Sequence, residues 1–194
     1  EHGGVPEFLD FTITDRESWA GAKQRMKPDE DRVDWAHLEE NYPKWKEQGA
    51  WIVAGAWFGY DVLASWTVGY ERMLMAMVQD PDWARDMART QLDVNIAMLE
   101  MIWDRGYEFD CVRWPDDMGY RNGLLFSVDT YREVLKPVQK HMCDWAHNRG
   151  VKTLLHSCGN IMELAPELVE IGIDALNPLE QKAGMDAFAL KEQY

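Results

Sequence analysis

His156 and Cys158 are the two side chains of this sequence best suited to hold a metal ion. They are separated by one residue and follow the apolar run 151–155. If that run is a strand whose geometry persists, alternate residues point to the same side, so the imidazole and the thiol leave the strand together. Nitrogen and sulfur ligands at about 2.1 and 2.3 Å from the ion are typical of zinc. The alternative is structural: the histidine bonds a backbone carbonyl and the cysteine fills space.

A zinc site needs at least one further protein ligand. Cys111 comes early in an apolar run and Cys143 lies within a predicted helix, so neither is suitably placed. Glu180, Asp116 or a cysteine beyond Tyr194 are the candidates for the third ligand.

Three acidic residues are candidates for acid–base catalysis. Asp116 and Asp117 follow the apolar run 109–114, and Glu180 follows a later run. Adjacent carboxylates can separate their pKa values and act as a general acid and base. Side chains at consecutive positions tend to diverge, however, and a solvated turn or an Asx-type hydrogen bond to Gly119 explains the pair equally well.

Five further residues are candidates for substrate binding. Trp57 and Phe58 end the first apolar run and can stack on a flat ligand, although core packing explains at least one of them. Arg121 offers a bidentate fork to an acidic group, with solvation at a loop tip as the alternative. Asn160 and Asn177 follow the two later runs, and Asn160 can equally cap a helical turn.

These residues are separated by a repeating pattern of short apolar runs and helices. The runs 51–54, 109–114, 151–155 and 173–176 predict strands. Capping residues and apolar spacing predict five helices. The first covers 34–48 and is interrupted or bent at Pro43, and the second ends near Gln79. The others run from Pro81 to Gly106, from Ser127 to Gly150 with a kink at Pro137, and over 166–171. A short helix is expected to open near Thr14.

Strands joined by helices pair in parallel, which indicates the α/β class. Either a (β/α)8 barrel or a doubly wound open sheet fits, but no G-x-G-x-x-G phosphate loop follows any strand. In both folds the carboxyl ends of the strands share one face, and that face carries the active site. The candidate residues therefore converge on a single site.

Composition excludes several classes of partner. The net charge of -14 over 194 residues disfavours nucleic acid and anionic lipid surfaces, which leaves a small molecule as the expected substrate. Three widely spaced cysteines form no disulfide framework, as expected for a cytoplasmic protein. No apolar run approaches the roughly 20 residues of a membrane span, and the first four residues show no secretion leader.

Three segments together resemble the uroporphyrinogen decarboxylase superfamily. They are residues 116–119 (DDMG) with the following helix at 131–137 (YREVLKP), residues 156–160 (HSCGN), and residues 171–178 (IGIDALNP). The resemblance covers roughly residues 50–194 and implies a (β/α)8 barrel with parallel strands and outer helices. A whole barrel needs ~250 residues. Residues 1–194 are therefore expected to be one domain, the central portion of a barrel truncated at both ends.

The resemblance implies two chemistries. Zinc-dependent methyltransferases of the superfamily move a methyl group between a corrinoid and a thiol-type acceptor, and they carry H-x-C followed later by another cysteine. His156 and Cys158 match the first two ligands, which implies zinc, a corrinoid protein as partner and a third ligand past Tyr194. True uroporphyrinogen decarboxylases use no metal and lack H-x-C at this strand. A tyrosine expected in them is not matched, since Leu63 falls near its place.

Methyl transfer is therefore the expected activity. Decarboxylation of uroporphyrinogen is the alternative, and a non-catalytic binding or scaffold barrel is the second alternative.

Overall fold

The computed structural model describes residues 10–194. The interpretation of the first four residues as lacking a leader falls outside this part. The helices are α1 (Arg16–Arg25), α2 (Trp35–Glu47), α3 (Tyr60–Leu63), α4 (Tyr70–Gln79), α5 (Pro81–Asp104), α6 (Val128–Val134), α7 (Lys136–His147), α8 (Ala165–Ile171) and α9 (Ala187–Gln193). The strands are β1 (Val53–Gly55), β2 (Cys111–Pro115), β3 (Gly119–Tyr120), β4 (Gly123–Leu124), β5 (Lys152–His156) and β6 (Ala175–Asn177).

Four of the strands form one parallel sheet in the order β1-β2-β5-β6. The order follows the chain without a reversal, whereas a doubly wound sheet reverses at a switch point. Successive parallel strands with helices between them form an arc of a (β/α)8 barrel. The prediction of a barrel rather than an open sheet is confirmed.

The two faces of this sheet differ in burial. Alternate residues of β2 and β5 are fully covered by the outer helices, where α7 packs on β5 and on α5, α6 and α8. The covered residues are Val112, Trp114, Thr153 and Leu155. Residues of the opposite face, including Arg113, Leu154 and His156, are only half-buried. His156 therefore lies on the open, concave face, at the carboxyl edge of the sheet.

The four strands of the parallel sheet each extend one residue further toward the carboxyl end than the apolar runs indicated. His156 is thus the last residue of β5, not the first residue of the loop. It pairs with Pro115 on one side and Asn177 on the other. Ladder hydrogen bonds decide where a strand ends, and they involve the backbone of polar residues as readily as that of apolar ones.

Most helix boundaries agree with the capping residues. The Asp80 side chain accepts a hydrogen bond from the Trp83 N–H, with Pro81 in the first turn of α5. The Ser127 side chain caps α6 by accepting from Thr130 N–H. Asp15 caps α1, the helix expected near Thr14.

Two helices predicted as continuous are divided. The kink expected at Pro137 separates α6 from α7 at Leu135. The helix expected to run to Gln79 is divided by a π-helical turn, Ala64–Val68, and by Gly69, whose φ is +93°. In contrast, α2 continues through Pro43. That helix has no buried residue, so water can reach the carbonyl that the proline leaves unpaired.

Among residues 10–194, every helix is too short or too polar to cross a lipid bilayer.

Candidate metal and active site

The imidazole of His156 and the thiol of Cys158 lie side by side at the carboxyl edge of the sheet. His156 Nε2 and Cys158 Sγ are 3.5 Å apart. Two ligands with bonds of about 2.1 and 2.3 Å and a tetrahedral angle between them lie about 3.5 Å apart, so this separation fits one zinc ion. The expected geometry, in which both groups leave β5 on a common side, is observed.

Asp117 completes a group of three possible ligands. Its Oδ1 lies 3.7 Å from His156 Nε2 and accepts a hydrogen bond of 2.7 Å from the backbone N–H of Cys158. The ligand atoms of the three residues all lie within 4.8 Å of one another. The side chains of His156 and Asp117 are 26% and 37% exposed, so a substrate can reach them. Sequence reasoning considered Asp117 only as an acid or base, not as a ligand.

The surroundings of Cys158 favour the neutral thiol in the absence of a cation. Burial raises the pKa of this thiol, and the nearby charges of Asp117 and Glu180 raise it further. A thiolate at this position therefore requires a positive charge beside it. The donor set fits such an ion, because imidazole, thiol and carboxylate are the three side-chain types that zinc takes in proteins.

Glu180 supports the loop that carries Cys158. Its Oε2 accepts a 2.8 Å hydrogen bond from the backbone N–H of Gly159. A Cβ atom on Gly159 would lie 2.5 Å from the backbone carbon of Gly119, and the φ of Gly159 is +77°. Only glycine fits there, so the Cys158 loop lies directly against the β3–β4 hairpin.

Asp116 is fully buried and contacts different groups from those that Asp117 contacts. Its Oδ1 accepts from the backbone N–H of Asp61 at 2.9 Å, and its Oδ2 accepts from Gln139 Nε2 at 2.9 Å. Burial raises the pKa of Asp116 to about 7. The consecutive side chains diverge as expected, but the interpretation of this position as a solvated turn is wrong.

Asp116 is also not the third metal ligand that the sequence offered as a candidate. Both of its oxygens bond groups of α3 and α7, and it is absent from the three-residue group around His156.

Sequence reasoning missed Asp61, which lies near Asp117 and His156. Burial raises the pKa of Asp61, the charge of Asp117 raises it further, and His156 lowers it. The Tyr70 hydroxyl donates to Asp61 Oδ1 at 3.3 Å. The position of Asp61 shortly after β1 was a usable signal, because the same strand-end rule singled out the other candidates.

The aromatic pair after β1 is divided between the core and the surface. Phe58 is fully buried and stacks on Trp114, with ring centroids 5.3 Å apart. Its expected role in stacking on a ligand is therefore wrong, because no ligand can reach it. Trp57 is 57% exposed and packs edge-on against Trp66. Trp57 also lines a groove formed with α1 and α5.

The remaining polar candidates are Asn160, Arg121 and Asn177, and the structure places them in three different settings. Asn160 Oδ1 accepts from the N–H of Met162, the first residue of the helical turn Met162–Leu164, although the N-cap position of that turn is Ile161. Arg121 is exposed in the β3–β4 turn and makes no hydrogen bond within residues 10–194. Asn177 lies beside His156 in the ladder, and its carbonyl accepts from Ser157 N–H.

The site carries uncompensated negative charge. Asp61, Asp116, Asp117 and Glu180 form no ion pair with lysine or arginine in the described part of the chain. An anionic substrate group gains nothing from such surroundings, whereas a divalent cation does.

Comparison with known proteins identifies the family. Residues 47–190 match the family described as uroporphyrinogen decarboxylase (URO-D). The chain belongs to this family. No curated protein matches this URO-D family member.

One similar solved structure is a methyltransferase from Methanosarcina mazei, with a TM-score of 0.61 and 22% sequence identity. The match covers 80% of this chain and 44% of the methyltransferase, so the URO-D family member spans less than half the length of that protein. At this identity the likeness establishes the shared fold, and it agrees with the arc of parallel strands described above.

Proposed function

We propose that this URO-D family member is a methyltransferase in which His156, Cys158 and Asp117 hold zinc, and that it moves a methyl group between a corrinoid and a thiol-type acceptor. The observation that supports the proposal most is the clustering of one nitrogen, one sulfur and one oxygen ligand at the exposed edge of the sheet. The general likeness to a methyltransferase structure agrees with it.

The residues of the chain prepare the acceptor. Zinc, when bound, lowers the pKa of a coordinated thiol and keeps it as the thiolate nucleophile. Cys158 gives up its own proton to serve as a ligand. Asp61 lies near His156, has no lysine or arginine partner in residues 10–194 and has a raised pKa, so its carboxylate can take up a proton released at the site. The half-buried setting of His156 limits the water that competes for the ion.

Methyl transfer then needs only one exchange of bonds. A corrinoid would supply the methyl group: the acceptor sulfur would bond the methyl carbon as the cobalt–carbon bond breaks, and the electron pair of that bond would stay on cobalt. This step does not require Trp57, whose partly exposed ring contacts the larger corrinoid partner instead.

Metal content tests the proposal directly. The wild-type chain purified under reducing conditions should contain one zinc per chain, and Cys158→Ser should lose the zinc together with methyl transfer from methylcobalamin to a thiol. Cys143→Ser is the matched control, because Cys143 is buried within α7, away from the site. A metal-free wild type, or a Cys158→Ser variant that keeps its transfer activity, would contradict the proposal.

Decarboxylation of uroporphyrinogen is the second candidate function, and the family match favours it. The absence of any lysine or arginine paired with Asp61, Asp117 or Glu180 in the described chain argues against an acidic tetrapyrrole bound here. Conversion of uroporphyrinogen by chelator-treated, metal-free protein would favour decarboxylation over methyl transfer. The ordered polar cluster around His156 argues against a barrel that serves only as a scaffold.

A further inference from the structure

Asp116 lies at the centre of a buried chain of hydrogen bonds that joins three elements. Gln139 of α7 donates to Asp116 Oδ2, and Gln139 Oε1 accepts a 2.8 Å bond from the Tyr131 hydroxyl of α6. Asp116, Gln139 and Tyr131 are all fully buried. Every polar atom of this chain has a partner, so each of these side chains is held in one orientation.

The other oxygen of Asp116 binds the first turn of α3. The backbone N–H of Asp61 lies in the first turn of α3, where the amides have no hydrogen-bond acceptor within the helix. The side chain of the N-cap residue usually accepts such a bond, but the N-cap of α3 is Gly59, which has none. Asp116 Oδ1 accepts this bond instead. Asp116 directly follows β2 and is 55 positions away from Asp61 in the sequence.

Gly59 has no side chain, and this leaves space for the Asp116 carboxylate. A Cβ atom on Gly59 would lie 2.3 Å from Asp116 Oδ2, and the φ of Gly59 is +112°. The end of β2 itself is fixed to β5, because Asp116 N–H donates to the His156 carbonyl at 2.8 Å. Asp116 thus contacts the backbone of β5 on one side and that of α3 on the other.

We infer that Asp116 is a positioning residue, not a reacting acid: its carboxylate fixes the first turn of α3 against the end of β2, and so sets the place of Asp61 relative to Asp117 and His156. This inference deepens the proposed metal function, because metal affinity is one of its two readouts. The other readout, amide exchange of α3, is independent of any metal.

Asparagine and alanine at position 116 separate the two roles. Asp116→Asn keeps an oxygen for Asp61 N–H. Its new amide group needs an acceptor, which Gln139 supplies by turning its own amide over, since the Tyr131 hydroxyl can accept as well as donate. Asp116→Ala removes both bonds. If Asp116 exchanges protons with a substrate, both variants lose methyl transfer. If Asp116 only positions α3, Asp116→Ala loses that function and Asp116→Asn keeps it.

The first measurement is hydrogen–deuterium exchange of the amides of residues 60–63 in the full chain. We expect Asp116→Ala to speed their exchange about tenfold or more, and Asp116→Asn to change it by less than about threefold. Asp93→Asn is the matched control, since Asp93 forms an exposed pair with Arg89 on α5 and should change nothing. Unchanged exchange in Asp116→Ala would overturn the inference.

The second measurement is the dissociation constant for Zn²⁺, followed by competition with a chelator. Asp116→Ala should weaken binding by about tenfold, because it displaces the Asp61 carboxylate, a negative charge near Asp117 and His156, and Asp116→Asn should stay within about threefold of wild type. If Asp116→Asn keeps its exchange pattern and its zinc but loses methyl transfer, Asp116 is a reacting group and the inference fails. If wild type binds no zinc, the metal proposal fails and the exchange result alone decides the inference.

Asp116→Ala removes a well-bonded buried group and can prevent folding. Gln139→Leu then serves as the second variant, because it keeps the side-chain volume nearly constant while it removes the donor to Oδ2, together with the acceptor of the Tyr131 hydroxyl. We expect it to speed exchange of residues 60–63 by about threefold. No change in that variant would also overturn the inference.

Discussion

The carboxylates at the two ends of β5 and β6 differ in their partners. At the carboxyl end, Asp117 and Glu180 accept hydrogen bonds from backbone amides, and neither pairs with lysine or arginine in residues 10–194. At the amino end, Asp174 bonds the Lys152 ammonium, the His147 ring and the Thr153 backbone N–H, each within 2.9 Å.

This difference in partners appears in the pKa values. Partial burial raises the pKa of Asp174. The hydrogen bonds to Lys152, His147 and Thr153 outweigh this effect, so the pKa of Asp174 is lowered overall. At the other end, burial raises the pKa of Asp61, and the nearby charge of Asp117 raises it further. The paired Asp174 therefore stabilises the fold, whereas the carboxylates at the other end lack a lysine or arginine partner and leave the site able to hold a cation. The same residue type thus serves stability at one edge of the sheet and binding at the other.

Replacing a carboxylate of the binding end should produce the largest effect. Asp117→Asn keeps the shape and an oxygen for Cys158 N–H, but it removes the negative charge from the proposed ligand. Loss of groups that merely orient ligands costs 10- to 100-fold in metal affinity, so we expect at least about a tenfold loss, or about 1.4 kcal/mol. The melting temperature of the metal-free protein should stay the same or rise. Competition with a chelator and thermal unfolding measure the two quantities.

A fall in melting temperature without a change in zinc affinity would show that Asp117 belongs with the structural carboxylates and would remove the contrast between the two ends.

Replacing the carboxylate of the opposite end should show the reverse pattern. Asp174→Ala leaves the buried Thr153 N–H without its partner and should lower the free energy of unfolding by about 2 kcal/mol. Zinc stoichiometry should not change. Denaturant unfolding measures the loss, and Asp174→Asn is the matched control, since it keeps an acceptor for Thr153 and removes only the charge. A loss of zinc in Asp174→Ala with normal stability would contradict this assignment.

A smaller effect should appear in the dependence of stability on pH. Glu167 of α8 bonds Arg132 and Lys136, which lower its pKa from the usual 4.5 to about 2. A carboxyl with a lowered pKa stabilises the folded state fully above pH 4.5, and this contribution is lost as the pH falls toward 2. Between pH 4.5 and pH 2, the melting temperature of Glu167→Gln should therefore fall less steeply than that of the wild type. Glu170→Gln, which removes a mostly exposed partner of Lys136, should keep the wild-type slope.

Much of the fold could be predicted from the sequence because the relevant signals are local. Apolar runs of strand length, Asp80 before Pro81, and Ser127 before α6 each act within a few residues, and each was read correctly. The same holds for His156 and Cys158, since alternation along a strand is also local. The strand ends were less predictable, because hydrogen bonds from β2 and β6 decide them.

The errors concern contacts between residues far apart in the chain. Phe58 was assigned to a ligand because its burial depends on Trp114, 56 positions later. The roles of Asp116 and Asp117 could not be separated, because Gln139 and the first turn of α3 decide where Asp116 points. Asp174 lies within the motif that carried the family resemblance, yet the structure gives it a stabilising role that the motif alone does not indicate.

The two ends of the H-x-C motif are held by different kinds of support. The backbone of His156 belongs to a ladder with strands on both sides, whereas Cys158 is held by Asp117 and precedes Gly159, a residue in the left-handed region. Loss of the hydrogen bonds to Asp117 and Glu180 would therefore displace the sulfur while the imidazole stays in place, so an ion held here would lose its sulfur ligand before its nitrogen ligand.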